Sequence, residues 1–256
     1  MLLQLDNVQK YFNKKATVCE VDLIVKKGEC VGLVGESGSG KTTLAKCILG
    51  LEEITSGQLL LEGRPLQRKR DRTERSRIQA VFQNPSASMN PRRKIIDTLM
   101  EPYDALKLKE ISFLHNTTRI EKAKQLLEMV GVPADYLPKY PHQLSGGQKQ
   151  RVMIAKAIST QPDLIVFDEP TASLDVTTQA KILNLLKDLK ENLSMSYLFI
   201  SHDLAAVRFM SERIYIMKEG RIIDEATKEN LFLKELQPYT KQLISAFGDE
   251  RSERLL

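Results

Sequence analysis

Eight residues constrain this chain more than any other stretch: Gly35-Glu36-Ser37-Gly38-Ser39-Gly40-Lys41-Thr42 fit the pattern G-x-x-x-x-G-K-[ST]. The setting gives the pattern its meaning. The run 29–35 reads as a strand, and 42–49, rich in helix formers and closed by Gly50, reads as a helix. Strand, glycine loop and helix in that order gather backbone N–H groups at the positive end of a helix dipole, where phosphate groups are held. Lys41 then carries a full charge to the β and γ phosphates, the Thr42 hydroxyl suits Mg2+, and Thr43 adds a contact to the α phosphate. A Gly/Ser-rich turn before a helix is otherwise only a turn; the complete pattern in this context argues against that reading.

Asp168 and Glu169 follow the apolar run Leu164-Ile165-Val166-Phe167. That is the C-terminal end of a strand, where ligands bind in parallel α/β sheets. Adjacent carboxylates at a buried edge need a cation or a polar substrate to face. Asp168 fits the acid that binds Mg2+, and Glu169 is placed as a general base acting on water. The alternative is that both cap the turn at Pro170.

A chain of 256 residues with 42% hydrophobic content is long enough to bury a sizeable core. Its apolar runs are only a few residues long, whereas a bilayer-spanning helix needs about 20. The N-terminus alternates apolar and polar residues like a strand rather than a secretion signal, so a soluble, intracellular chain is expected. Cys19, Cys30 and Cys47 lie far apart without metal-ligand spacing and are expected to be reduced and structural. The net charge of +5 admits nucleic acid, an anionic membrane surface or mere solubility. The basic run 64–77 holds no aromatic residue to stack on bases, which weakens the first option.

Along the chain, 2–8, 17–25, 59–62 and 78–82 read as strands, and 84–91, rich in Asn, Pro and Ser, reads as loop. From 94 to 130 apolar residues fall at helical spacing, as with Ile120, Ala123, Leu127 and Val130. Alternation then resumes: a strand at 164–167, a helix from Val176, and a strand at 197–200. A hairpin around Glu219-Gly220 and one or two helices complete the chain. Strand–helix alternation interrupted by a helical insertion specifies an α/β fold with a largely parallel sheet.

Leu144-Ser145-Gly146-Gly147-Gln148 narrows the choice. Ser145 with Gln148 three residues on is a capping box, and a helix start with two glycines and a hydroxyl is also an anion site. Together with the phosphate loop and the carboxylate pair, these residues make the chain resemble the ATP-binding cassette (ABC) family over nearly its whole length. The resemblance implies a P-loop NTPase fold: a mainly parallel sheet core (about 1–83 and 160–226) with an antiparallel β edge, an inserted α-helical subdomain (about 84–159) and a short helical tail (about 227–256). It implies ATP hydrolysis with Mg2+, with Ser145, Gly146, Gly147 and Gln148 closing over nucleotide held by a second cassette. By the same resemblance Tyr11 stacks on adenine, with Phe12 as the alternative core aromatic. Gln83 is the hinge glutamine that touches Mg2+ and water, Asp175 communicates across the dimer or simply caps a helix, and His202 senses the γ-phosphate. Ala172-Ser173, where the family more often has Ser-Ala, and Lys149 after the signature are departures that remove no functional group.

The segments 83–92 (QNPSASMNPR) and 237–246 (QPYTKQLISA) resemble the oligopeptide, dipeptide and nickel importer branch. That resemblance implies a second, different ATPase subunit, two membrane permease subunits, an external binding protein and a peripheral position on the cytoplasmic face of the membrane. No nucleic-acid partner is expected. Peptide-type members often have longer C-terminal extensions, some with a cysteine cluster, so the end of this sequence leans toward nickel or another metal chelate, with peptides as the alternative. A soluble cassette acting on ribosomes or DNA usually fuses two cassettes or inserts coiled coils, neither of which is present. A phosphotransferase would leave 144–148 and His202 without a task.

Overall fold

The computed structural model describes residues 1–13, 15–67, 69–108, 111, 114, 118–232 and 235–248. In chain order the elements begin with β1 (Leu3–Phe12), β2 (Lys15–Val25), β3 (Cys30–Val34), α1 (Lys41–Ile48), β4 (Ser56–Leu61) and β5 (Arg64–Pro65). Next come α2 (Arg72–Arg77), β6 (Ile78–Phe82), α3 (Pro85–Ser88), α4 (Ile95–Leu106), α5 (Arg119–Met129) and α6 (Gly146–Ile158). The remainder is β7 (Leu164–Asp168), α7 (Val176–Leu193), β8 (Ser196–Ser201), α8 (Leu204–Met210), β9 (Arg213–Lys218), β10 (Arg221–Thr227) and α9 (Pro238–Gly248). The chain divides into two compact units. The first takes Met1–Asp71, Val166–Glu169 and the described residues from Ser196 to α9; the second takes Arg72–Ile165 and Pro170–Met195.

The first unit contains two sheets. One runs β2-β1-β4-β5 and is antiparallel throughout, with Leu3 opposite both Val25 and Leu61. The alternation of β1 survives a bulge: Leu3, Leu5 and Val8 are buried, and Asn7 takes the left-handed conformation (φ 48°) at the irregularity. The strands of the other sheet that lie in this unit follow the order β10-β9-β3-β8-β7. There β3 pairs parallel with both β8 and β9, and β10 adds an antiparallel edge. The strands β3, β7 and β8 are buried along their whole length, as continuous apolar runs in a covered parallel sheet should be. Phe167 meets Tyr197 edge to face at 4.9 Å. Burying side chains of this size stabilises by about 1.5–3 kcal/mol each. Since β3 and β8 run parallel, and the Glu169 N–H reaches the Ile200 carbonyl at 2.9 Å, Val34, Asp168 and Ser201 finish at one edge of the sheet.

In the second unit α4 and α5 pack against α6 and against each other. Its helices α5, α6 and α7 start with side-chain caps: Thr118 takes the N–H of Glu121 at 3.2 Å, Ser145 that of Gln148, and Asp175 that of Thr178. The stretch 84–91 is not all loop. Asn84 Oδ1 accepts the N–H of Ala87 at 3.1 Å and Pro85 takes the first helical position, so α3 forms where composition alone suggested none. Among the described residues the tail holds one helix, α9, and no helix is long and apolar enough to cross a membrane. Within the stretches read above as a basic run, a helical insertion and a tail, residues 68, 109–110, 112–113, 115–117, 233–234 and 249–256 lie outside the described residues.

Candidate functional site

The loop 35–40 joins the end of β3 to the start of α1. Gly40 closes it with φ 107°, and a Cβ there would stand 2.5 Å from the Thr17 carbonyl oxygen, so only glycine completes the curl. Lys41 is buried, and its Nζ donates to the carbonyls of Gly35 at 2.7 Å and Glu36 at 2.8 Å and to Ser39 Oγ at 3.4 Å. Burial pushes the Lys41 ammonium below its usual value, and the nearby carboxylates of Glu169, Asp168 and Glu36 pull it back. A strong donor is thus parked on its own loop within a negative surround. Ser37 and Gly38 at the crest are exposed, and Thr43 is half-buried on α1.

Thr42 Oγ1 donates to Asp168 Oδ1 at 3.2 Å, joining the start of α1 to the end of β7 across 126 positions of sequence. The Asp168 carboxyl is buried, and burial raises it above the usual carboxylate range against the Thr42 hydrogen bond, which lowers it. Such a group gains from a cation. Among the described residues no three His, Cys, Asp or Glu side chains converge as a metal cage. One hydroxyl and one carboxylate instead suit Mg2+, a hard ion that is usually shared between one or two carboxylates and substrate phosphates.

Glu169 takes the left-handed conformation (φ 54°), uncommon for a residue with a Cβ, while its N–H donates to the Ile200 carbonyl at 2.9 Å. The turn delivers its side chain to the end of β8. There Glu169 Oε1 accepts the backbone N–H of His202 at 3.0 Å, and Oε2 lies 2.8 Å from His202 Nδ1. Glu169 and His202 thus share a hydrogen bond at Nδ1. Ser201, which the sequence reading passed over, donates to Glu169 Oε2 at 3.4 Å and accepts the N–H of Asp203 at 3.0 Å. A serine next to a singled-out histidine was the available signal.

Lys41, Thr42, Asp168, Glu169 and His202 therefore converge within the first unit. Tyr11 also belongs to that unit, on the exposed end of β1; it and Phe12 are each 41% exposed, so the contrast between a surface and a core aromatic is absent. Tyr11 OH lies 3.2 Å from Gln9 Oε1, and Lys10 Nζ sits over the Phe12 ring.

Gln83, exposed at the end of β6, and the signature belong to the second unit. The capping box at the start of α6 is complete. Ser145 Oγ accepts from Gln148 N at 3.3 Å, Gln148 Oε1 accepts from Ser145 N at 2.9 Å, and Gln148 Nε2 donates to Tyr136 OH at 3.1 Å. Gly146 is exposed at the first turn. A Cβ on Gly147 would stand 2.7 Å from Thr178 Cγ2, so this glycine lets α6 start against α7. Asp175 caps α7: Oδ1 accepts from Thr178 N at 2.9 Å and Oδ2 from Thr178 Oγ1 at 2.7 Å, and these bonds hold its carboxyl below the usual range. The starts of α6 and α7 line one open cleft of about 540 Å³ in which Arg151 and Lys181 outnumber the single carboxylate of Asp175, a balance suited to an anion.

The chain is similar to known proteins over most of its length. The family model described as ABC transporter matches residues 18–172. The oligopeptide transport ATP-binding protein OppF of Lactococcus lactis subsp. lactis is 43% identical over 229 residues, covering 88% of this chain and 70% of OppF. A putative peptide import ATP-binding protein of Brucella ovis is 40% identical over 264 residues, covering 99% of this chain and 82% of that protein. Among solved structures, the ATP-binding cassette MJ0796, a dimer in a post-hydrolysis state bound to ADP and Pi, superposes with a TM-score of 0.76. It is 30% identical and covers 89% of this chain and 99% of its own. The chain accordingly belongs to the ABC transporter family, as an ATP-hydrolysing cassette of the branch that includes the oligopeptide importers.

Proposed function

We propose that this cassette drives a peptide importer, with Lys41 and the loop 35–43 holding the phosphates and Glu169 acting as general base on the attacking water. The observation that carries the reading is the convergence at one sheet edge of Lys41, the Thr42–Asp168 pair and the Glu169–His202 clasp. On nucleotide binding, phosphate oxygens replace the Gly35 and Glu36 carbonyls as partners of the Lys41 ammonium. Thr42 Oγ1 and Asp168 are the donors that would hold Mg2+, and the ion would supply charge neutralisation on the phosphates. His202, with Nδ1 given to Glu169, leaves Nε2 to accept or relay a proton near the γ-phosphate. Tyr11 offers its ring to adenine.

In this reading the cleft at the starts of α6 and α7 receives the γ-phosphate of nucleotide held by a second cassette, through Ser145, Gly146, Gly147 and Gln148, while Asp175 passes its state across the dimer. The domain assignment stays as the resemblance implies: a core at about 1–83 and 160–226, a helical subdomain at about 84–159 and a tail at about 227–256. The partners are a second, different ATPase chain, two permease subunits and an external binding protein, with this chain peripheral on the cytoplasmic face. Peptide cargo is supported by relatives at 40–43% identity that are themselves called peptide or oligopeptide transport proteins. The lean toward nickel rests only on where the sequence stops.

The test is reconstitution with the membrane subunits and measurement of ATP turnover. A peptide-loaded binding protein should stimulate turnover several-fold, and a nickel-loaded one should not. Stimulation by nickel alone would reassign the cargo, and stimulation by neither would contradict the importer reading.

A further inference from the structure

Resting on the reading of 35–43 as the nucleotide loop, we propose that the C-terminal helix is part of the nucleotide site's framework, with Tyr239 as a positioning residue for the loop. Glu36 N–H donates to the Tyr239 hydroxyl oxygen at 3.0 Å, 203 positions away in sequence. The same peptide unit presents its other pole, the Gly35 carbonyl, to Lys41 Nζ at 2.7 Å. This peptide plane is therefore clamped from both sides at the point where the chain leaves β3. Its tilt sets where the Lys41 ammonium waits and how the following N–H groups curl.

Tyr239 is itself well held. Its side chain is buried, and Lys218 Nζ sits 4.8 Å from the ring centroid. The first turn of α9 is tied to β10: Asp224 Oδ2 accepts the N–H of Gln237 at 3.0 Å and the hydroxyl of the buried Thr240. The hairpin carrying Lys218 and Asp224 makes its own contact with the loop, since Gly220 N–H donates to the Ser39 carbonyl at 2.9 Å. Two backbone groups of the loop, Glu36 N–H and Ser39 C=O, are thus fixed by chain that lies after residue 217. Glutamine, proline, tyrosine and threonine at 237–240 form one device, in which Pro238 starts the helix, Thr240 anchors it and Tyr239 reaches the loop.

Losing the clamp lets the Gly35–Glu36 peptide turn, so the binding-competent loop becomes a smaller fraction of the ensemble and apparent affinity falls in proportion. Tyr239→Phe removes only the hydroxyl. At a temperature where both proteins are fully folded by circular dichroism, the Kd and KM for ATP should rise about three- to tenfold, the range expected for one hydrogen bond to a backbone N–H, with kcat within about twofold. Amide exchange at Glu36, followed by NMR on the full chain without nucleotide, should accelerate by a similar factor. Unchanged exchange at Glu36, or an unchanged KM, would overturn the proposal. Lys41→Ala serves as the separate control: if it binds ATP normally, the loop reading fails, whereas weak binding by Lys41→Ala with normal binding by Tyr239→Phe defeats only the role of Tyr239.

Discussion

His202 holds Glu169 by two contacts at once: its backbone N–H reaches Oε1 at 3.0 Å and its Nδ1 lies 2.8 Å from Oε2. Both carboxylate oxygens are spoken for from one direction, so the orientation of the proposed general base depends on a residue at the end of the neighbouring strand β8. Replacing His202 by Ala keeps the backbone contact and removes the ring. Turnover of Mg-ATP should fall about 10²-fold, the scale of a misplaced catalytic group, while ATP affinity stays within about threefold. Phosphate release and nucleotide binding measured side by side check this; a parallel loss of both would mean that the histidine merely supports the fold.

Ser145 both caps α6 and is proposed to face nucleotide on the partner cassette. Aspartate caps a helix as well as serine but places a negative charge where a γ-phosphate would approach. Ser145→Asp should therefore melt within about 2 °C of the parent and bind ATP at its own loop normally. In the assembled transporter it should lose at least about tenfold in turnover through like-charge repulsion. Melting curves and ATPase rates on the same preparation separate the two roles.

Glu29 accepts from Arg213 Nε at 2.8 Å and Nη2 at 3.0 Å at the base of β9. Burial pushes its carboxyl up, but the hydrogen bonds from Arg213 and Lys26 outweigh burial and hold it below the ordinary value of 4.5. A carboxylate held below its unfolded value contributes stability above that value and loses it as pH falls through the folded one. Glu29→Gln should lower Tm at pH 7 by about 2–4 °C, the shift produced by about 1 kcal/mol in a chain of this size. The gap to the parent should begin to shrink as pH falls below 4.5 and close once pH has passed below the folded-state value. Glu225, 3.0 Å from Arg213 Nη1, keeps the guanidinium from being stranded. A gap that stays constant with pH would rule out the charge as its source.

The glycine loop 35–40 was legible because its pattern is local: glycines, a lysine and a threonine at fixed spacing between a strand and a helix. Asp168 and Glu169 were legible as a pair, yet their separation into one partner of Thr42 and one partner of His202 was not. It follows from the β3-β8-β7 neighbour order and from the left-handed backbone at Glu169, neither of which leaves a periodic trace. The short helices Arg72–Arg77 and Leu204–Met210 have too few turns for a 3.6-residue pattern to stand out. Asn84 and Pro85 carried a helix start that their composition disguised as loop. Tyr239 was visible only as a mark of its branch, since a hydrogen bond across 203 positions has no local signature.

The most direct test of the account is single-turnover phosphate release from Mg-ATP by Glu169→Gln, with ATP binding measured in parallel. Glutamine keeps the shape of the side chain and an oxygen for the His202 N–H, but it takes no proton from water. The account predicts binding within about threefold of the parent and release slowed at least about 10²-fold, the contribution of a general base. Release within about tenfold of the parent would contradict it and remove Glu169 from the chemistry.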